Sequence, residues 1–202
     1  MEEYSKTLKL TGVKELVVIS GISGCGKTTL AKKLAARHNI YLLSVDVCKA
    51  ELGTQYGFLT DFEKKIFNNT AEEHFKLQCI TQMRTQESVI VEYPFSSDWQ
   101  AFFTECARSY GYRLIVINLV SKDFERVYNA RVERDKQTDR PKVLLCDAWI
   151  PNKVCHYADD ADVMDHMYAQ WSYQSKTRLA GDETYCVNCE DELWNHQDST
   201  AL

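Results

Sequence analysis

"VVISGISGCGKTTLAKKLAA", Val17 to Ala36, decides how the chain is read. Its first residues lie in "KELVVIS" (Lys14 to Ser20), a short β-branched run that predicts a buried parallel strand. Its last residues lie in "TTLAKKLAARH" (Thr28 to His38), which sets Leu30, Ala31, Leu34 and Ala35 on one helical face with basic residues opposite. Between them, Gly21, Gly26, Lys27 and Thr28 satisfy G-x-x-x-x-G-K-[ST] in the strand–loop–helix setting the motif needs. Glycines let backbone N–H groups turn inward on phosphate oxygens, and the helix N-terminus adds partial positive charge. Lys27 is then placed for the terminal phosphates and the Thr28 hydroxyl for Mg²⁺. Gly21, Ser23, Gly24, Cys25, Gly26, Lys27, Thr28 and Thr29 are the candidate nucleotide contacts.

Outward from this loop, strand and helix patterns alternate. "IYLLSVD" (Ile40 to Asp46) predicts a second strand, and Asp61 to Gln86 a long helix on which Phe62, Ile66, Phe67, His74, Phe75, Leu77 and Ile80 recur at helical intervals. "SVIVEYP" (Ser88 to Pro94) predicts a third strand stopped by proline. "DWQAFFTECARSYG" follows as a helix with Asp98 as N-cap and Gly111 near its end, before "YRLIVINLV" as a fourth strand. Ser121 to Asp135 predicts a helix capped by Ser121, and "KQTDRPK" a polar break with the composition of a mobile loop. Two further helical patches are expected between Val143 and Leu179, a short fifth strand at "ETYCVN" (Glu183 to Asn188), and a frayed tail, "NHQDSTAL". The alternation implies an α/β fold with a parallel sheet and helices on both faces. No internal repeat or interdomain linker interrupts it, so one domain over 1–202 is expected.

Composition narrows the function. The 202 residues are 45% hydrophobic and 26% charged, ordinary globular proportions. A net charge of -5 and a pI near 5.6 argue against nucleic acid as a partner and favour a small molecule. "MEEYSKTLKLTG" has no apolar signal core and no stretch is long enough to cross a bilayer, so a cytoplasmic protein without a membrane partner is expected. The eight cysteines are dispersed and are expected as free thiols. Cys186 and Cys189 form a C-x-x-C, and Cys155-His156 could complete a zinc set, but no second C-x-x-C supports it. A guanine-nucleotide switch needs Asn-Lys-x-Asp; "PNKVC" puts Cys155 where the aspartate belongs.

The sequence resembles the small P-loop kinases of the group containing polynucleotide kinase, chloramphenicol phosphotransferase, gluconate kinase and the zeta-toxin type. The resemblance spans about Leu16 to Pro141, strongest in the opening stretch and weaker in "LLSVDVCK", "VIVEYPF" and "RVERDKQTDRP". It implies a P-loop NTPase three-layer α/β/α sandwich with a five-stranded parallel sheet and a helical, arginine-bearing lid, here at about 121–141, with a helical substrate-side region at about 143–180. It also implies ATP with Mg²⁺ and transfer of a phosphoryl group.

Asp46 is expected at the end of the second strand, on the carboxyl edge where open α/β sheets collect ligands. The family commonly has Asp-x-x-Arg here, the aspartate taking the proton of the acceptor hydroxyl. This chain has Asp46-Val47-Cys48-Lys49, so Lys49 keeps the charge and loses the planar fork. A helix-cap or turn role for Asp46 is the alternative. Glu92 ends the third strand, where P-loop proteins carry an acidic residue that orients water around Mg²⁺; an acceptor contact or a solvated charge are the alternatives. Arg131 and Arg134 share one side of a predicted helix and Arg140 follows, so the three can converge on phosphate or belong to a solvated helix laced with Glu125, Glu133 and Asp135. The expected activity is ATP- and Mg²⁺-dependent transfer of the γ-phosphate to a small-molecule hydroxyl. Lys27, Asp46, Arg131 and Arg134 are the catalytic candidates, Arg140 a nucleotide contact, and Thr28 and Glu92 the metal candidates. A nucleotide-binding regulator and a polynucleotide 5'-kinase are the competing readings.

Overall fold

The computed structural model describes residues 8, 10–11, 13–85, 87–174 and 178–190. Its elements are β1 (Glu15–Gly21), α1 (Lys27–His38), β2 (Tyr41–Ser44), α2 (Val45–Leu52), α3 (Asp61–Arg84), β3 (Val89–Glu92), α4 (Gln100–Tyr110), β4 (Arg113–Val120), α5 (Phe124–Asp135), β5 (Cys146–Ile150), β6 (Val154–Tyr157), α6 (Asp160–Ser172) and β7 (Glu183–Asn188). Five strands form one sheet in the order β2-β3-β1-β4-β7, and every neighbouring pair is parallel. A parallel sheet must be covered on both faces, which is why the strands read as unbroken apolar runs rather than alternations. Successive residues go to opposite layers. Leu16, Val18, Val89, Val91, Leu114 and Val116 pack with α2, α3 and α4, while Val17, Ile19, Ile90, Ile115 and Ile117 pack with α1 and α5. The result is the expected three-layer α/β/α sandwich.

Local chemistry moves several boundaries. β2 stops at Ser44 and the chain enters α2 at Val45, so Asp46 lies in the first turn of a helix, not on the strand. α3 starts on a capping box, Thr60 accepting from the Glu63 N–H and Glu63 from the Thr60 N–H. Its buried stripe is Phe67, Ala71, Phe75, Cys79 and Met83, an i, i+4 row; Phe62, Ile66 and Leu77 are exposed instead of buried. Asp98 is not an N-cap: it sits within a single 3-10 turn, Ser97–Trp99, that runs into α4. Gly111 does end α4, in the left-handed region at φ 68°. Asp123, not Ser121, caps α5 by accepting from the Arg126 N–H. The polar break after α5 is a turn closed by bonds from the N–H of Gln137 to Arg134 O and from the N–H of Arg140 to Gln137 O.

The largest correction falls between Val143 and Leu179, where one helical patch is α6 and the other is an antiparallel hairpin of β5 and β6. Its turn is Pro151–Lys153, with Asn152 at φ 60°, a conformation asparagine tolerates. The hairpin is bolted to the α2–α3 loop. Phe58 and Trp149 exchange both backbone hydrogen bonds at 2.7 Å, and Trp149 Nε1 donates to Gly53 O at 2.8 Å. Phe58, Phe67 and Val143 form a third apolar cluster beneath. The expected strand at Glu183–Asn188 is β7. The tail residues expected to fray lie outside the described residues. Among the described residues, no helix is long and apolar enough to cross a membrane.

Candidate functional site

The loop between β1 and α1 is shaped by three glycines with positive φ, Gly21 at 149°, Gly24 at 85° and Gly26 at 89°. Gly24 is required twice over: a Cβ there would stand 2.0 Å from the backbone oxygen of Val127, so α5 rests directly on the loop. Gly26 occupies the N-cap of α1, and no side chain caps the helix. Its first N–H groups therefore remain for an anion. Lys27 is buried and arches back to donate to Ile22 O at 2.8 Å, holding the loop closed, while Thr28 and Thr29 are exposed. Cys25 is buried in the loop, and burial pushes its thiol up, with the Lys27 charge opposing, so it stays a neutral packing group.

Sheet register brings the acidic candidate next to this loop. β3 lies between β1 and β2, with Glu92 opposite Ile19 on one side and Ser44 on the other. Glu92 is 4% exposed and accepts from Ser44 Oγ at 2.6 Å, so it is not a solvated strand-end charge. The next residue, Tyr93, accepts at its hydroxyl from Lys49 Nζ at 2.8 Å. Burial lowers the Lys49 ammonium below its ordinary value, against the pull of Asp46 and Glu72; burial raises the Tyr93 phenol, helped by the Asp46, Glu72 and Glu92 carboxylates. Lys49 is thus engaged with a neutral phenol, one turn along α2 from Asp46.

The three candidate arginines converge. Arg134 Nη2 donates to Ser23 Oγ of the loop at 3.1 Å, and Arg140 Nη2 reaches Asp46 Oδ2 at 3.5 Å. Both meet Asp135, which also takes Arg131 at 2.9 Å. The reading of these arginines as a solvated helix face does not hold, since Arg131 and Arg140 are each only 18% exposed. A continuous run of polar groups, Ser23–Arg134–Asp135–Arg140–Asp46, therefore links the phosphate loop to the carboxylate on α2. Sequence reasoning missed Ser44, Tyr93 and Asp135 as members of this site. Only Asp135 left a signal, an acid spaced four residues from Arg131.

Two features lie apart from this run. A cavity of about 110 Å³ opens beside the loop, with Ser20, Gly21, Ser96, Asn118 and Arg178 among its walls; Asp46, Arg131, Arg134 and Arg140 do not line it. Cys155 lies 3.1 Å from Cys146 across the hairpin, whereas Cys186 and Cys189 belong to β7 and the residue after it. Among the described residues, no three His, Cys, Asp or Glu gather as a metal set.

Comparison with known proteins agrees with this architecture. The model of a family described as an AAA domain matches residues 16–144, more than half of the chain. No curated protein sequence matches. A solved structure from Chloroflexus aurantiacus, assigned provisionally as a kinase, superposes with a TM-score of 0.69 at 18% identity, covering 94% of this chain and 95% of that one. A sugar kinase from a Janibacter species gives 0.52 at 15% identity over 90% and 91% of the two chains. A gluconokinase from Sinorhizobium meliloti gives 0.50 at 11% over 91% and 89%. With the complete phosphate-loop motif and the family match over more than half of its length, the chain belongs to the AAA-domain family, and its β2-β3-β1-β4-β7 sheet has the fold of P-loop kinases.

Proposed function

We propose that this chain is an ATP- and Mg²⁺-dependent phosphotransferase that moves the γ-phosphoryl group to a hydroxyl of a small molecule. The observation that carries the reading is the run from Ser23 through Arg134, Asp135 and Arg140 to Asp46, which puts guanidinium donors between a phosphate loop and a carboxylate. Phosphoryl transfer needs little covalent help from a protein; it needs in-line positioning and neutralisation of charge on the equatorial oxygens.

The residues fit those tasks. The uncapped N-terminus of α1 and the glycine-shaped loop hold the β- and γ-phosphates, and Lys27 exchanges its Ile22 carbonyl for phosphate oxygens. Arg131, Arg134 and Arg140 meet the charge of the moving group and exclude water above it. Asp46 takes the proton of the acceptor hydroxyl as its oxygen bonds to phosphorus and the bond to the ADP oxygen breaks. The exposed Thr28 hydroxyl and the Glu92 carboxylate would hold a Mg²⁺ ion, which would offset phosphate charge when bound. Lys49 and Tyr93 border Asp46 on the acceptor side.

The test is ADP release by the full chain over a panel of hydroxylated compounds. Because proteins of this fold include a sugar kinase and a gluconokinase, polyols and sugar acids come first, then nucleosides and antibiotics. The reading expects one acceptor class to stimulate release, and Asp46→Asn to slow that release by about 10²–10⁴-fold while nucleotide binding stays. ATP hydrolysis that no acceptor stimulates and that Asp46→Asn leaves unchanged would contradict it.

A further inference from the structure

At the end of α5 and the turn after it, Arg131, Arg134 and Arg140 gather on one carboxylate, Asp135, while Glu133 and Lys136 pair with each other on the exposed side. Asp135 Oδ2 accepts from Arg131 Nε at 2.9 Å. Its Oδ1 accepts from Arg134 Nε at 3.2 Å and Nη2 at 3.1 Å, and Arg140 Nε stands 3.5 Å from the same oxygen. Asp135 and the three arginines are shielded, with side-chain exposures between 18% and 30%. Three guanidiniums at this spacing repel strongly where water is scarce. Burial and the Arg140 charge pull Arg134 below its ordinary value, and Asp135 is the group that opposes them.

The place of Asp135 is informative. It is the last residue of α5, where a carboxylate faces the negative end of the helix dipole and weakens the helix. A residue selected to stabilise that helix end would be basic. Its two oxygens, however, are the shared partner of the arginines, and each guanidinium keeps donors to spare. Arg134 still reaches Ser23 through Nη2, and Arg140 still reaches Asp46.

We propose that Asp135 is the positioning residue of the lid, holding Arg131, Arg134 and Arg140 as one phosphate-facing set between Ser23 and Asp46. The proposal rests on the assignment of those arginines to the transferring phosphate. It goes beyond that assignment by naming what keeps three like charges together.

Discrimination between ATP and ADP reads this directly, because the γ-phosphate is what the set would meet. Fluorescence titration of the full chain with MgATP and MgADP is done for wild type, Asp135→Asn, Asp135→Glu and Arg134→Ala, with a melting temperature for each. The proposal expects Asp135→Asn to lower the ATP-over-ADP preference by about tenfold with ADP affinity held within about threefold, alongside some fall in melting temperature as three shielded guanidiniums lose their shared carboxylate. Asp135→Glu restores part of the preference, and Arg134→Ala lowers it as well. If Arg134→Ala lowers the preference and Asp135→Asn leaves it unchanged, the arginine assignment survives and the role of Asp135 is overturned. If both leave it unchanged, the assignment fails and takes this proposal with it. Equal loss of both nucleotides with a lower melting temperature makes Asp135 a folding residue only, which also overturns it.

Discussion

The phosphate loop and the proposed acceptor side of this molecule are built in opposite ways. The phosphate end is a single stretch, Gly21 to Thr28, whose chemistry is backbone N–H groups and one lysine. The proposed acceptor side would be assembled from α2, the α2–α3 loop, the end of β3, the turn after α5 and the β5–β6 hairpin, some of them joined by contacts such as Phe58 with Trp149 and Lys64 with Asp147. A site made of backbone needs particular conformations at fixed offsets. A site made of side chains from distant segments needs the whole fold before any of it exists.

Substitutions can break that contrast at either end. The largest stability effect is expected at Gly24. Gly24→Ala combines a left-handed backbone with a Cβ 2.0 Å from Val127 O, and is expected to cost about 3 kcal/mol or more, along with nucleotide affinity. Gly111→Ala shares the positive φ but has open space at its Cβ, so it should cost about 1 kcal/mol and leave nucleotide binding alone. Urea denaturation with nucleotide titration compares the pair; equal losses would mean that α5 does not rest on the loop.

On the other side, Trp149→Ala removes the bond to Gly53 O and part of the third cluster. It is expected to cost about 2 kcal/mol. Its kinetic signature should be a raised KM for the acceptor with an unchanged KM for ATP. The reverse split would place the hairpin on the nucleotide side.

The smallest effect concerns Glu190, which accepts from Ser121 Oγ and from the N–H groups of Lys122 and Asp123 just before α5. Burial alone would raise this carboxyl, but those bonds together hold it below its ordinary value. A depressed folded-state value contributes stability above the unfolded pKa, and that stability is lost as pH falls through the folded one. Glu190→Gln is therefore expected to cost about 1 kcal/mol at pH 7, a drop of about 2–4 °C, and to match wild type in acid below the carboxylate range. A difference that does not shrink with acidification would rule out the carboxylate as the tether.

How much of this was legible follows from the same contrast. The loop, the five strands and the covering of both sheet faces could be read because periodicity and glycine spacing are local properties. Asp46 was identifiable by type and neighbourhood, yet its helix began two residues earlier than the apolar run suggested, since Ser44 is engaged with Glu92 and the chain turns at Val45. The hairpin read as helix because Trp149, Ile150 and Val154 fit either periodicity; the Pro151-Asn152 turn was the signal that should have decided it. The convergence of Arg131, Arg134 and Arg140 on Asp135 was half visible, as i, i+3 and i, i+4 spacing. Its contacts to Ser23 and Asp46, on other elements, were not.

A crystal structure of the chain with Mg²⁺ and a non-hydrolysable ATP analogue tests the central claim most directly. The account predicts Arg134 and at least one of Arg131 and Arg140 within about 3 Å of γ-phosphate oxygens. It also predicts the Asp46 carboxylate facing the γ-phosphorus across a gap that one acceptor oxygen would fill. Guanidiniums turned away from the nucleotide, or Asp46 walled off from the γ-phosphate by protein, would contradict it.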